Sequence, residues 1–412
     1  MTLTDSSQPS RLATRIISVD LLRGIVMVLM AIDHVRVYSG IPAGGTDYGV
    51  FFTRWVTNFC APAFTFLAGT GIFFFAHSGG AASARGAASA GVAFRNGRAR
   101  KEVVRYLLLR GFLLVLLELT VIRFSWTFNL DYAHFTLAGI IWMLGWCMIG
   151  MAVLSAFPPI VVGIIGIAIV AGQTLFADVP GLLPSSLQKS FGYLWEFVYP
   201  SGLSRPPGVV ILYVLVPWIG VMAMGYGIGP LFRLDPAGRR RICLWIGGTA
   251  IALYLAIGCI YAAHQPGSKL PFLLRLLNQR KYPASPLFLL MTLGPLVAVL
   301  PWAERITGRL SRIGGVIKGV LLVFGRVPLF FYLLHIPTIH LGCMMINYFR
   351  EGSGGSSWYA TAPDVWMPPD HRWPLWLLYL EWAMDIFFLY FLCRWFARYK
   401  NAHGEKRWLK FL

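Results

Sequence analysis

The stretch from Ser18 to Arg36, SVDLLRGIVMVLMAIDHVR, places Asp20, Arg23, Asp33 and His34 inside a run otherwise apolar enough to lie in a membrane. Charged groups at that depth are costly and persist mainly where they line a cavity or a reaction path. An imidazole there has the chemistry of a general base. A neutral ring nitrogen takes a proton from an attacking amine or hydroxyl, and a carboxylate nearby, such as Asp33, raises its basicity. Neighbouring helical residues point about 100° apart, so Asp33 need not touch His34. Arg23 and His34 are eleven residues apart, which brings both onto one helix face at a separation of about 16 Å along the axis. Asp20, one turn before Arg23, is positioned to pair with its guanidinium. His34, Asp33 and Arg23 form the candidate catalytic group.

The elements that must position them are set by composition. Of 412 residues, 57% are hydrophobic and 13% charged, and this balance makes lipid the expected solvent. The reading is an all-α polytopic membrane protein of about ten transmembrane helices around a central polar cavity. The spans fall near 16–38, 51–76, 104–125, 135–156, 158–177, 209–232, 242–263, 285–303, 318–347 and 374–397. Residues 1–15 read as a disordered cytoplasmic tail, 16–398 as a single transmembrane domain and 399–412 as a basic cytoplasmic tail. A signal peptide is disfavoured because Asp20 and Arg23 interrupt the first apolar run.

The net charge of +19 raises nucleic acid as a partner, but the basic residues follow membrane topology instead. With the amino terminus in the cytoplasm, the inner segments 77–103, 233–241, 304–317 and the tail collect most Arg and Lys, while 264–284 is a local exception. That pattern excludes nucleic-acid binding as the main reading and places both termini inside. The outer segments 178–208, 264–284 and 348–373 are rich in Pro, Gly or aromatics, as expected of a lid, an acceptor rim or interfacial anchors. Gly79 to Gly91 reads as a flexible inner linker. The six cysteines lie in apolar runs without metal-ligand spacing and read as small buried hydrophobes.

Further polar groups at membrane depth gather in other spans. Arg54 and Asn58 open the second, Glu118, Arg123, Trp126 and Asn129 mark the third and its continuation, Arg326, Tyr332, His335 and His340 mark the ninth, and Glu381 and Asp385 the tenth. His335 and His340 are about 140° off one face, which argues against a metal site on that helix alone. Pro62, Pro217, Pro295, Pro328 and Pro337 interrupt spans and permit bends around a cavity, and Gly220, Gly225 and Gly229 permit close helix approach.

The runs SVDLLRGIVMVLMAIDHVR, TRWVTNFCAPAFTFLAG, VIRFSWTFNLDY, LVPWIGVMAMGYGIGPLF, KYPASPLFLLMTLGP and GRVPLFFYLLHIPTIH resemble the bacterial members of the heparan-alpha-glucosaminide N-acetyltransferase catalytic-domain family. The spacing of Arg23 and His34 is also similar to that on the first helix of acyltransferase-3 proteins. The resemblance implies a transmembrane acyltransferase that moves an acetyl or other acyl group from cytoplasmic acetyl-CoA to an amine or hydroxyl of a sugar on the other side. As aligned here, the lysosomal members carry asparagine where this chain has His34 and place their histidine in the following segment, which here has none. The role of His34 as base therefore follows the bacterial and acyltransferase-3 pattern.

On this basis Asp20, Arg54, Asn58, Arg123, Trp126, Asn129, Lys281, Tyr282, Arg326, Tyr332 and His335 are substrate-binding candidates, with Arg54 or Asn58 facing the oxyanion. Arg100, Lys101, Arg105 and Arg110 are candidates for the phosphates of acetyl-CoA. No metal is expected. The partners expected are the lipid bilayer, acyl-CoA and a glycan acceptor, with a homodimer as the candidate assembly. The expected location is a bacterial inner membrane, and the lack of an Asn-x-Ser/Thr sequon disfavours a lysosomal, glycosylated counterpart. A transporter or flippase of lipid-linked sugars is the alternative, because buried ions also suit a translocation path.

Overall fold

The computed structural model describes residues 11–411 apart from 45–46, 78–97, 203–206, 266–269, 306–311, 361 and 364. The inner linker from Gly79 and the first ten residues of the tail lie outside the described residues. Helix α1 (Arg11–Tyr38) begins five residues earlier than the apolar run alone indicates. It is followed by α2 (Tyr48–Thr57), α3 (Cys60–His77), α4 (Arg100–Leu117) and the short α5 (Arg123–Thr127), the last two joined by a π-helical turn at Glu118–Ile122. Strand β1 (Thr136–Ala138) leads into α6 (Ile140–Leu154), α7 (Pro159–Ala171) and α8 (Ser185–Trp195). Strand β2 (Val209–Ile211) then precedes α9 (Leu215–Gly227), α10 (Pro236–Ala263), α11 (Phe272–Leu277), α12 (Pro286–Val299) and α13 (Trp302–Arg305). The chain closes with α14 (Arg312–Arg326), α15 (Pro328–Glu351), α16 (Ser353–Ser357) and α17 (Leu375–Ala402).

The protein is an all-α polytopic membrane protein. Among the described residues, five helical segments are long and apolar enough to cross a bilayer: Tyr48–His77, Leu215–Arg233, Pro236–Ala263, Pro328–Glu351 and Leu375–Ala402. Helices α6, α7 and α12 are apolar but shorter. Helix boundaries follow local chemistry. Asp235 caps α10 by accepting from the amides of Ala237 and Gly238 at 3.0 Å, with Pro236 in the first turn where its missing N–H costs nothing. Ser285 and Pro286 start α12 in the same way.

Lipid offers apolar helix faces no net gain from meeting each other, so association depends on close packing and hydrogen bonds. Gly225 of α9 lies so near the Phe66 carbonyl of α3 that a β-carbon there would collide with it. The same crossing is tied by Thr70 Oγ, which donates to the Gly225 carbonyl at 2.9 Å.

The expected single span at 318–347 is two helices. Val327, at φ −131° and ψ 52°, breaks the run, since the ring of Pro328 disfavours a helical residue before it. The chain also reverses there. Gly24 of α1 meets Leu321 and Asp20 meets Gly325, so α14 runs antiparallel to α1. His34 meets His335 and Tyr38 meets His340, so α15 runs parallel to α1. This reversal brings Arg326 and Pro328 beside Asp20 and Arg23 at one end of α1 and carries His335 to His34 nearer the other.

The two strands pair in parallel, Thr136 opposite Val209 and Ala138 opposite Ile211. Their small ladder draws the start of α6 together with Leu212 and Tyr213 beside α1.

Candidate active site

His34 Nδ1 and His335 Nε2 are 2.7 Å apart, and His335 Nδ1 lies 2.7 Å from the backbone carbonyl of Tyr332. A carbonyl only accepts, so His335 Nδ1 carries a proton and donates it. In the neutral ring His335 Nε2 is then an acceptor, and His34 Nδ1 must donate to it. The remaining nitrogen, His34 Nε2, holds a lone pair and makes no hydrogen bond to a described protein group. Trp126 packs edge-on to the His34 ring at 5.1 Å between centroids and itself stacks on Tyr38, whose hydroxyl donates to the Trp126 carbonyl at 2.8 Å. The imidazole is thus fixed in plane by His335 and laterally by Trp126.

His34 lines a cavity of about 250 Å³ with Asp33, Arg36, Thr57, Trp126, Tyr213, Lys281, Tyr282 and Tyr332. Lys281 and Tyr282 reach it from the segment between α11 and α12, and Tyr213 approaches Tyr282, their hydroxyls 3.4 Å apart. Among the described residues of the three segments 178–208, 264–284 and 348–373, those lining the cavity come from 264–284. The 348–373 segment instead packs back on the end of α1, where Tyr359 OH donates to the Tyr38 carbonyl at 2.9 Å.

A second cavity of about 270 Å³ runs from Arg23 along Met27, Phe64, Phe75, Leu114 and Leu144 to Tyr332. Ile140 and Tyr332 line both this cavity and the one holding His34. At its other end Arg23, Arg110 and Pro328 also line a third cavity of about 370 Å³, completed by Asp20, Arg326 and Lys400. Arg23 Nη1 donates to Asp20 Oδ1 at 3.1 Å, the pairing expected from their spacing. Among the described residues, that leaves one carboxylate with four cations at the mouth, a strongly anion-attracting site.

Most of the remaining candidates lie outside these cavities. Asp33 is bound by Arg36, Oδ1 to Nε at 2.9 Å, and not by His34; it lines the cavity as half of an ion pair. Arg54 donates to the Ala43 carbonyl at 2.6 Å, and neither Arg54 nor Asn58 lines the cavity of His34, so the structure gives no geometry for either at an oxyanion. Thr57, beside them, does line it. Arg123 is fully buried and lines none of these three cavities. Its guanidinium donates to the carbonyls of Phe135, Asn129 and Asp131 and lies over the Tyr132 ring, so it clamps the 128–136 turn, and Asn129 belongs to that turn rather than to a cavity. Arg100, Lys101 and Arg105 are exposed on α4, and only Arg110 of that group faces the basic mouth.

Lys400 and Tyr213 were not expected at the site. Lys400 sits among tail cations that read as a topology signal, and Tyr213 sits in an apolar run without a charge to mark it. Glu118 is fully buried and accepts from the amides of Ile141 and Trp142 at 3.1 and 3.3 Å, capping α6 from the π-helical turn.

The sequence profile of the heparan-alpha-glucosaminide N-acetyltransferase catalytic family matches residues 15–266, more than half of the chain. The chain belongs to this family. The matched span carries Arg23, His34, Arg110, Trp126 and Tyr213, while Lys281, Tyr332 and His335 lie beyond it. No curated protein matches the chain. The family is one of acetyltransferases.

Proposed function

We propose that the protein transfers an acetyl group from cytoplasmic acetyl-CoA to an amine or hydroxyl of a sugar on the opposite side of the membrane. The observation that carries this reading is the succession of three cavities: a basic mouth, an apolar passage, and a polar chamber holding an imidazole with an available lone pair. Acyl-CoA has matching parts in the same order: phosphates, a thin uncharged pantetheine arm and a thioester. Arg23, Arg110, Arg326 and Lys400 attract the phosphates, and the thioester reaches the boundary at Tyr332. A sugar enters the other chamber against the Trp126 face, its hydroxyls within reach of Asp33, Lys281 and Tyr282. His34 Nε2 takes the acceptor proton as the acceptor attacks, and His335 steadies the imidazolium that forms. The family supplies the donor class, and the basic inner segments supply the sidedness by the positive-inside rule.

The test is calorimetric titration of purified protein with acetyl-CoA, followed by measurement of CoA release on adding glucosamine. Binding with acceptor-dependent release, lost in His34→Gln with acetyl-CoA binding retained, is the expected result. A transporter or flippase would neither bind acetyl-CoA nor release CoA.

A further inference from the structure

Among the described residues, Tyr332 is the one ionisable side chain that lines both the apolar passage and the chamber of His34. It is 5% exposed, and its hydroxyl makes no hydrogen bond to a described protein group. Its backbone carbonyl accepts from His335 Nδ1, so the residue that faces the boundary also anchors the histidine pair. The Tyr332 and His335 rings are 5.0 Å apart and the His335 and His34 rings 4.9 Å apart, so the phenol and the base both pack on His335 and line the same chamber.

We infer that Tyr332 is a catalytic residue whose hydroxyl donates a hydrogen bond to the thioester carbonyl oxygen at the boundary between the two cavities. This rests on the acetyltransfer reading given above. Trp126 Nε1 is also a donor without a hydrogen-bond partner among the described residues, but Trp126 and Lys281 line the chamber alone and not the apolar passage. The Ile141 and Trp142 amides are taken by Glu118, and the Arg23 guanidinium is held by Asp20 about 16 Å along α1 from His34. In the step, the acceptor lone pair forms a bond to the carbonyl carbon, the carbonyl π pair moves onto oxygen, and the acceptor proton passes to His34 Nε2. When the oxyanion pair re-forms the carbonyl, the C–S bond breaks and its electrons leave on the CoA sulfur, which takes the proton from the imidazolium. The Tyr332 O–H strengthens its hydrogen bond as charge builds on oxygen and keeps its proton throughout. A donor aimed at developing charge in a water-poor site is worth about 10²–10³ in rate.

Tyr332→Phe retains the ring and removes only the donor. The expected result is a fall of about 10²–10³ in kcat with the KM for acetyl-CoA nearly unchanged. A second measurement needs no turnover. The carbonyl stretch of a ¹³C-labelled ketone analogue of acetyl-CoA, in which CH₂ replaces the sulfur, is recorded bound to each protein, and the wild type should give the lower frequency. Equal kcat, a change confined to KM, or equal carbonyl frequencies would overturn the assignment. If wild-type protein neither binds the analogue nor turns over acetyl-CoA, the acetyltransfer reading itself fails.

Discussion

His34 on α1 and His335 on α15 share a single proton-bearing contact of 2.7 Å across 301 residues of chain, and the carbonyl of Tyr332 fixes which nitrogen donates. The direction of that relay leaves His34 Nε2 with its lone pair, the nitrogen proposed as the base. Removing the support should therefore disable the base without touching it. His335→Ala is expected to lower kcat by about 10²-fold while acetyl-CoA binding is kept, because a general base contributes about 10²–10⁴ in all and keeps part of that when poorly oriented. Steady-state kinetics with parallel calorimetry check this.

The same pair sets a pH dependence with a definite sign. The lone pair on His34 exists only while the pair is neutral, so lowering the pH adds a proton and removes the base, whereas raising it leaves the base intact. The profile of kcat/KM against pH should show a falling acid limb. A rate that rises as pH drops would assign the histidines a different role.

At the basic mouth, Lys400 and Arg326 lie beside Arg23 and Arg110 with Asp20 as the single carboxylate. Lys400→Ala or Arg326→Ala should each weaken acetyl-CoA binding by at least about tenfold, the value of one hydrogen bond to a charged group at roughly 1.5–3 kcal/mol. The deficit should shrink in high salt, since partly open charges are screened. Dephospho-CoA, with one phosphate fewer, should respond less to the same substitutions.

How much of this was legible in sequence depends on distance along the chain. The Asp20–Arg23 pair and the shared stripe of Arg23 and His34 follow from the period of one helix. The partner of His34 does not, because pairing between α1 and α15 depends on the chain reversal at Val327, and Pro328 marks a bend there without showing that the chain turns back. Arg123 is a sharper case: a buried guanidinium at membrane depth reads as a substrate group, yet three backbone carbonyls of the following turn take up its donors. Burial marks a charge as important without saying what it serves.

Arg123→Leu should consequently act on stability, since it leaves the carbonyls of Asn129, Asp131 and Phe135 without their donor. A cost of about 3–5 kcal/mol is expected for breaking a buried charged network, seen as a lower melting temperature in detergent. Loss of acceptor affinity at unchanged stability would restore a binding role.

Close packing offers an independent check on the helix arrangement. Gly225→Ala forces a methyl into the Phe66 carbonyl of α3 and should destabilise by about 1–3 kcal/mol, whereas Gly181→Ala, with open space around it, should change stability by less than about 0.5 kcal/mol. Thermal melting of the two variants separates them.

The central claim is that one passage joins the compartment of Arg23 to that of His34 through Tyr332. Its most direct test uses proteoliposomes of uniform orientation, with ¹⁴C-acetyl-CoA on the Arg23 side and glucosamine sealed on the other. The account predicts labelled acetylated sugar in the His34-side compartment and none with His34→Gln; label appearing only on acceptor supplied with the acetyl-CoA would contradict it.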